Sequence, residues 1–189
     1  MTEPLRIAMW SGPRNISTAM MRAWENRGDC TVSDEPLYAH YLAETRSDHP
    51  GRDEVIAAGE TDWRKVTRAL VGEVPDGEAI WYQKHMTHHL LPHVGHDWIH
   101  ALTNVFLIRE PDEVVSSYLR TRDTVSVEDI GVPQQRRLFD EIADRNGAPP
   151  PVIDADEFLR APAAHLRTLC ATLGIPFTER MLSWPPGPR

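Results

Sequence analysis

Leu5-Arg6-Ile7-Ala8-Met9-Trp10 is a mostly apolar run that passes without a spacer into the turn-rich Ser11-Gly12-Pro13-Arg14-Asn15. A helical pattern follows at once: Ile16, Ala19, Met20, Ala23 and Trp24 recur at the spacing that lines one face of a helix, and Gly28 supplies a stop. This strand–loop–helix unit restricts the fold more than any other feature. Thr31-Val32-Ser33 reads as a weaker second strand, Ala79 to Gln83 as a third, Val105 to Ile108 as a fourth and Val152-Ile153 as a fifth, with helical patterns between most of them. Strands that alternate with helices predict an α/β chain whose central parallel sheet is covered on both faces. Function is then expected at the carboxyl ends of the strands.

At 189 residues the chain is expected to form one domain. Residues from about 40 to 76 are polar and broken by Gly51, Gly59, Gly72 and Pro75, which reads as an insertion over the functional edge. Asn146 to Pro151 is a turn into the last strand, and Ala163 to Leu173 a final helix stopped by Gly174. With 41% hydrophobic residues the chain can bury a core, and 28 acidic against 20 basic side chains give a net charge of −8. That balance argues against a module that binds nucleic acid by neutralising phosphates. Cys30 and Cys170 stand far apart, without the spacing of a disulfide framework or a thiolate zinc site. No signal pattern opens the sequence and no apolar run reaches the roughly 18 residues needed to cross a bilayer, so a cytoplasmic protein away from membranes is expected.

A glycine-containing loop between a strand and a helix aims several backbone N–H groups and the positive end of the helix dipole at one point, where a phosphate fits. Arg14, Ser17 and Thr18 add side-chain donors there. The nucleoside triphosphate version of such a loop needs a lysine before its Ser/Thr, and this loop has none. The fourth strand leads into Arg109 rather than a magnesium-binding aspartate, which disfavours ATP hydrolysis and phosphoryl transfer. Arg109-Glu110-Pro111-Asp112 stands at a strand's carboxyl end, on the same edge as the first loop, so two anion-binding elements converge.

Together these segments resemble the sulfotransferases that use 3′-phosphoadenosine 5′-phosphosulfate (PAPS), bacterial members in particular. Ser11-Gly12-Pro13-Arg14-Asn15-Ile16-Ser17-Thr18 is similar to the family's 5′-phosphosulfate loop, with Arg14 on the basic position and Ile16 where the family usually has glycine. Val105 through Tyr118 is similar to the 3′-phosphate element, whose arginine and serine stand eight apart, as do Arg109 and Ser117. Lys84-His85-Met86 through Leu90-Leu91-Pro92 resembles the segment that carries the family's catalytic histidine, which would be His85. Phe158 to Ile175 resembles the closing helix, whereas the tail Trp184 to Arg189 lacks the Gly-x-x-Gly-x-Trp-Lys-like segment found in many relatives.

The resemblance implies a three-layer, P-loop NTPase-like fold and sulfuryl transfer from PAPS to a hydroxyl or amine of a small-molecule acceptor, with no metal. It implies a cofactor site of Gly12, Arg14, Asn15, Ile16, Ser17, Thr18, Arg109 and Ser117, with Arg14 neutralising charge on the leaving oxygen. His85 would accept the acceptor's proton. Glu35, just after the second strand, is placed to orient an acceptor or to pair with a cation. His85, His88, His89, His93, His96 and His100 crowd one stretch, as zinc or nickel ligands could. Pro92 and Gly95 interrupt any single helical face, HExxH is absent and no cysteine lies nearby, which favours a histidine-rich loop beside one functional base. Trp10 and Trp24 fall on core patterns, whereas Trp63 lies on a helical stretch from Asp62 to Val71. Two alternatives use the same scaffold: a small-molecule kinase, and a nucleotide-binding module without turnover.

Overall fold

The computed structural model describes residues 3–47, 49–120 and 124–185; the last four residues of the tail discussed above lie outside these. Five strands, β1 (Leu5–Ser11), β2 (Cys30–Asp34), β3 (Ile80–Met86), β4 (Thr103–Ile108) and β5 (Val152–Asp154), form one sheet in the order β2-β3-β1-β4-β5. Every pairing is parallel, so the carboxyl ends of all five strands share one edge.

Each predicted strand is present, and the alternation of side chains along it splits the core in two. Ile7, Met9, Tyr82, Val105 and Leu107 face one layer, where they meet Met20, Met21 and Trp24 of α1 (Ser17–Glu25), Phe158 of α8 (Ala155–Arg160) and Leu166, Leu169 and Cys170 of α9 (Pro162–Thr172). Ala8, Trp10, Trp81 and Phe106 face the other, against Val66 and Leu70 of α4 (Trp63–Leu70) and Leu138 and Ile142 of α7 (Val132–Asn146). A sheet buried on both faces forces apolar residues at successive strand positions, which is why β1 reads as a continuous run. This is the three-layer α/β, P-loop-like architecture.

The polar stretch after β2 holds α2 (Tyr38–Thr45), α3 (Arg52–Ala58) and α4. Its attachment is specific: His40 is buried, its Nδ1 is 2.8 Å from the Thr61 carbonyl, and its Nε2 is 3.0 Å from His93 Nε2. Beyond β4 come α5 (Pro111–Tyr118) and the short α6 (Val127–Ile130). Gln135 on α7 donates to the carbonyls of Trp10 and Leu107, at 3.0 Å each, and so ties the ends of β1 and β4 together.

Candidate active site

The loop after β1 has to turn within five residues into α1, and Arg14 makes that turn with φ of 56°. A left-handed conformation at a non-glycine residue costs about 1–2 kcal/mol, so something must over-determine it. Three contacts do. The Arg14 Nε donates to Ser117 Oγ at 3.0 Å, the Arg14 carbonyl accepts from Arg109 Nη1 at 2.9 Å, and the Asn15 amide donates to the Leu107 carbonyl at 3.2 Å. Arg14, Arg109 and Ser117 thus share one rim. Gly12 is required by close approach: a Cβ there would stand 2.8 Å from the Ile130 carbonyl oxygen.

Helix α1 begins at Ser17 without a side-chain cap, whereas α4, α6 and α8 are capped by Asp62, Ser126 and Asp154. Its first-turn N–H groups are therefore left to a ligand or to water. Ile16 precedes them and packs against the α1-side core, so the family's glycine position has become part of that core. Arg109 also holds the Glu113 carboxylate through Nε and Nη2, at 2.9 and 2.7 Å.

Beside this rim lies a cavity of about 560 Å³, walled on the loop side by Arg14, Asn15, Ser17 and Thr18. The facing wall comes from the ends of β2 and β3 and from α2. Lys84 is 4% exposed and donates from Nζ to Asp34 Oδ1 at 2.8 Å and to Glu35 Oε1 at 2.6 Å. Glu35, like Arg14, has a left-handed backbone, with φ of 48°. Two strand ends facing one cavity are therefore each turned by a strained charged residue. The wall is completed by Tyr38, Tyr41, His49, His88 and His89. The His89 ring lies against Tyr38 and Tyr41, with centroids 4.8 and 4.7 Å apart.

The structure does not bring His85 to this cavity. Strand alternation sends Lys84 and Met86 to the cavity side and His85 to the opposite face with Trp81 and Gln83. There its ring stacks on Trp10 at 4.5 Å, near Trp98, and its Nε2 lies 3.3 Å from Gln83 Oε1. Burial pushes its pKa down to about 3. Lys84 and His89, neither of them singled out for this cavity from the sequence, line it where His85 was expected. The available signal was parity: the residues that share Lys84's side of β3 are Ile80, Tyr82 and Met86. The other clustered histidines are engaged elsewhere, His96 and His100 both with Glu141 and His93 with His40. Among the described residues no three His, Cys, Asp or Glu side chains converge as metal ligands.

Comparison with known proteins decides the family. The family model described as a sulfotransferase domain matches residues 5–189. The chain belongs to the sulfotransferases. It is 34% identical over 182 residues to the branched-chain-amino-acid aminotransferase-like protein 2 of Arabidopsis thaliana, covering 96% of this chain and 32% of that protein. The sulfotransferase domain thus spans about a third of the length of that relative. Among solved structures, a sulfotransferase from Alicyclobacillus acidocaldarius aligns with a TM-score of 0.62 at 15% identity, over 93% of this chain and 83% of that one. Mouse sulfotransferase SULT7A1 complexed with PAP aligns with a TM-score of 0.56 at 14% identity, over 96% and 63% respectively. Both share the fold of this domain. Among the described residues, no helix is long and apolar enough to cross a membrane.

Proposed function

We propose that this sulfotransferase takes its sulfuryl group from PAPS and passes it to a hydroxyl or amine of a small molecule held in the same cavity. The observation that carries this reading is the shared rim: Arg109 from the end of β4 and Ser117 from α5 meet Arg14 across 95 and 103 residues of sequence. One rim then carries two guanidinium groups and the uncapped start of α1, a donor set suited to a nucleotide with anionic groups at two positions. The fold it shares with a sulfotransferase solved with PAP supports the same donor.

In this reading the loop N–H groups, Ser17 and Thr18 hold the 5′-phosphosulfate, and Arg109 with Ser117 selects the 3′-phosphate. The sulfur gains a bond to the acceptor oxygen or nitrogen as its bond to the bridging oxygen breaks, and the electron pair leaves on that oxygen. Arg14 neutralises the charge that develops there, the kind of electrostatic work that dominates such transfers. The test is calorimetric titration with 3′,5′-diphosphoadenosine, the desulfonated donor, and with ATP–magnesium. Binding of the diphosphate and not of ATP–magnesium is expected. Arg109→Ala should weaken the diphosphate about 10- to 100-fold, the worth of a charged hydrogen-bond pair, while adenosine 5′-phosphosulfate binding changes little. Equal losses for the two ligands would remove Arg109 from the 3′ position.

A further inference from the structure

The polar stretch after β2 is fastened to the rest of the domain by a contact that donor binding does not use. His40 of α2 is 3% exposed and meets His93, an exposed residue of the loop after β3. The two Nε2 atoms stand 3.0 Å apart, with the ring planes at 73°. One hydrogen must lie between them, because two lone pairs at that distance repel and two N–H groups collide. The far side of His40 decides which ring carries it. Its Nδ1 is 2.8 Å from the Thr61 carbonyl oxygen, which can only accept, so His40 keeps its proton on Nδ1 and offers a lone pair at Nε2. His93 therefore donates from its own Nε2.

Such a pair has room for one further proton and not for two. The first goes to Nδ1 of the exposed His93 ring, whose Nε2–H still points at His40, and the bond gains charge assistance. The second has only His40 Nε2 left, where it sets N–H against N–H and cation against cation. Charged groups on the surrounding elements do not relieve this. Glu60 accepts the Asp62 N–H and pairs with Lys65 of α4, Asp62 caps α4 at the Arg64 N–H, and Arg52 and Asp53 of α3 pair with each other. His96, beyond His93 in the loop, is bonded to Glu141 of α7, and Glu44, one turn along α2 from His40, is exposed. Among the described residues, none of these groups is bonded to either ring of the pair.

What the pair holds is one wall of the cavity. Helix α2 also carries Tyr38 and Tyr41, whose rings pack on His89 and His88 in that wall. His40 leaves the helix about half a turn round from Tyr38. The segment from Thr87 to His93 therefore grips α2 on two faces, by ring packing on one and by the imidazole hydrogen bond on the other. We propose that His40 and His93 form a two-proton latch, which keeps the α2 wall in place against the loop after β3 at neutral pH and releases it when both imidazoles are protonated. The latch stands on the pair alone. That the released wall is the acceptor's side of the cavity rests on the sulfotransferase reading above. In that reading His40 and His93 are positioning residues, and acid weakens acceptor binding while the nucleotide rim, built from the loop after β1, the end of β4 and α5, stays intact.

The test is amide hydrogen exchange of the whole chain and of the variants His93→Gln and His93→Ala, from about pH 7.5 to about pH 4.5, a window that brackets the ordinary imidazole value of about 6.5. Exchange is expressed as protection, which removes the pH dependence of the amide chemistry, and α2 is compared with β1 in the same sample. In the parent, α2 protection should fall about 10-fold or more towards the acid end beyond any fall in β1, as expected for a lost hydrogen bond that leaves a polar atom buried. His93→Gln should hold α2 protection level, because its amide donates to neutral His40 and, turned over, accepts from protonated His40. His93→Ala should give the low value at every pH. Parent protection in α2 that follows β1, or an acid loss in His93→Gln equal to the parent's, would overturn the latch. Both variants should bind 3′,5′-diphosphoadenosine at neutral pH within about twofold of the parent, which also shows that they have folded. Of phenols, sugar alcohols and primary amines that are turned over, the acceptor KM should rise in acid for the parent and not for His93→Gln; equal rises would cut the tie between latch and acceptor. A parent that does not bind the diphosphate strikes at the PAPS reading instead, and the exchange result still decides the latch.

Discussion

Lowering the pH from 7 to 4 should destabilise the fold through His85 more than through any exposed group. In the unfolded chain this imidazole titrates near 6.5, whereas in the fold desolvation pushes it down to about 3. Between those values the unfolded chain binds a proton that the folded chain refuses. The stability His85 contributes is therefore present above pH 6.5 and is lost as the pH falls towards 3. At pH 4 the loss is about 3 kcal/mol, a large part of the roughly 5–15 kcal/mol that holds an ordinary domain together. With a urea slope of about 2 kcal/mol per molar, the unfolding midpoint should drop by about 1.5 M from this residue alone. His89, shifted in the same direction by burial, adds to the fall. Carboxylates titrate over the same range, so the decisive comparison is with His85→Phe, which fills the place beside Trp10 without titrating. Any cost of leaving Gln83 Oε1 without its partner is the same at both pH values and cancels. The variant's midpoint should fall by about 1.5 M less than the parent's. Parallel curves for the two proteins would mean that His85 exchanges protons with solvent in the native state, and the burial argument would be wrong.

Gly12→Ala should lower the melting temperature by about 3–10 °C, because the new methyl group meets a backbone carbonyl and overpacking costs about 1–3 kcal/mol; differential scanning calorimetry measures it. Arg14→Gly and Arg14→Ala should both lose turnover, but the glycine variant should be the more stable by about 1 kcal/mol, since it relieves the left-handed backbone. Equal stability in urea titrations would show that the strain is absent in solution. Lys84→Met should destabilise more than Asp34→Asn, because removing the buried cation leaves two carboxylates facing each other at the strand ends. The opposite order would refute that account.

The sheet was legible because a strand covered on both faces must be apolar at successive positions, and β1 and β4 satisfy this in Ile7-Ala8-Met9-Trp10 and Val105-Phe106-Leu107-Ile108. The rim was legible for a related reason: Arg109 follows directly on β4 and Arg14 stands three residues beyond β1, and parallel strands send their ends to one edge. What failed was the side of β3 on which a histidine falls. A strand reverses side-chain direction at every residue, so the choice between Lys84 and His85 is the choice between the cavity and the core. The run Ile80 to Met86 is buried throughout, so hydrophobicity alone does not mark which parity is which. That His89 lines the cavity was hidden for another reason: it sits in a 3-10 turn beyond the strand, and the stacking of Tyr38 of α2 on its ring makes it part of the wall.

The resting contacts of the two arginines bear on how firmly the rim can hold a nucleotide. Arg109 is bonded to Glu113 one helical turn away, with side chains 26% and 49% exposed, and such partly exposed pairs contribute about 1 kcal/mol at most. A phosphate that arrives at Arg109 therefore displaces little, and the Nη1 contact to the Arg14 carbonyl survives the exchange. Arg14 makes a neutral partner of Ser117 through Nε, which fixes the plane in which its two terminal nitrogens lie. The guanidinium groups are thus oriented by weak or neutral contacts before any anion binds, so little binding energy goes into arranging them. A net charge of −8 is no obstacle to this. At the roughly 10 Å screening length of ordinary buffers, a bound anion responds to the cations of the rim far more than to carboxylates spread over the rest of the surface.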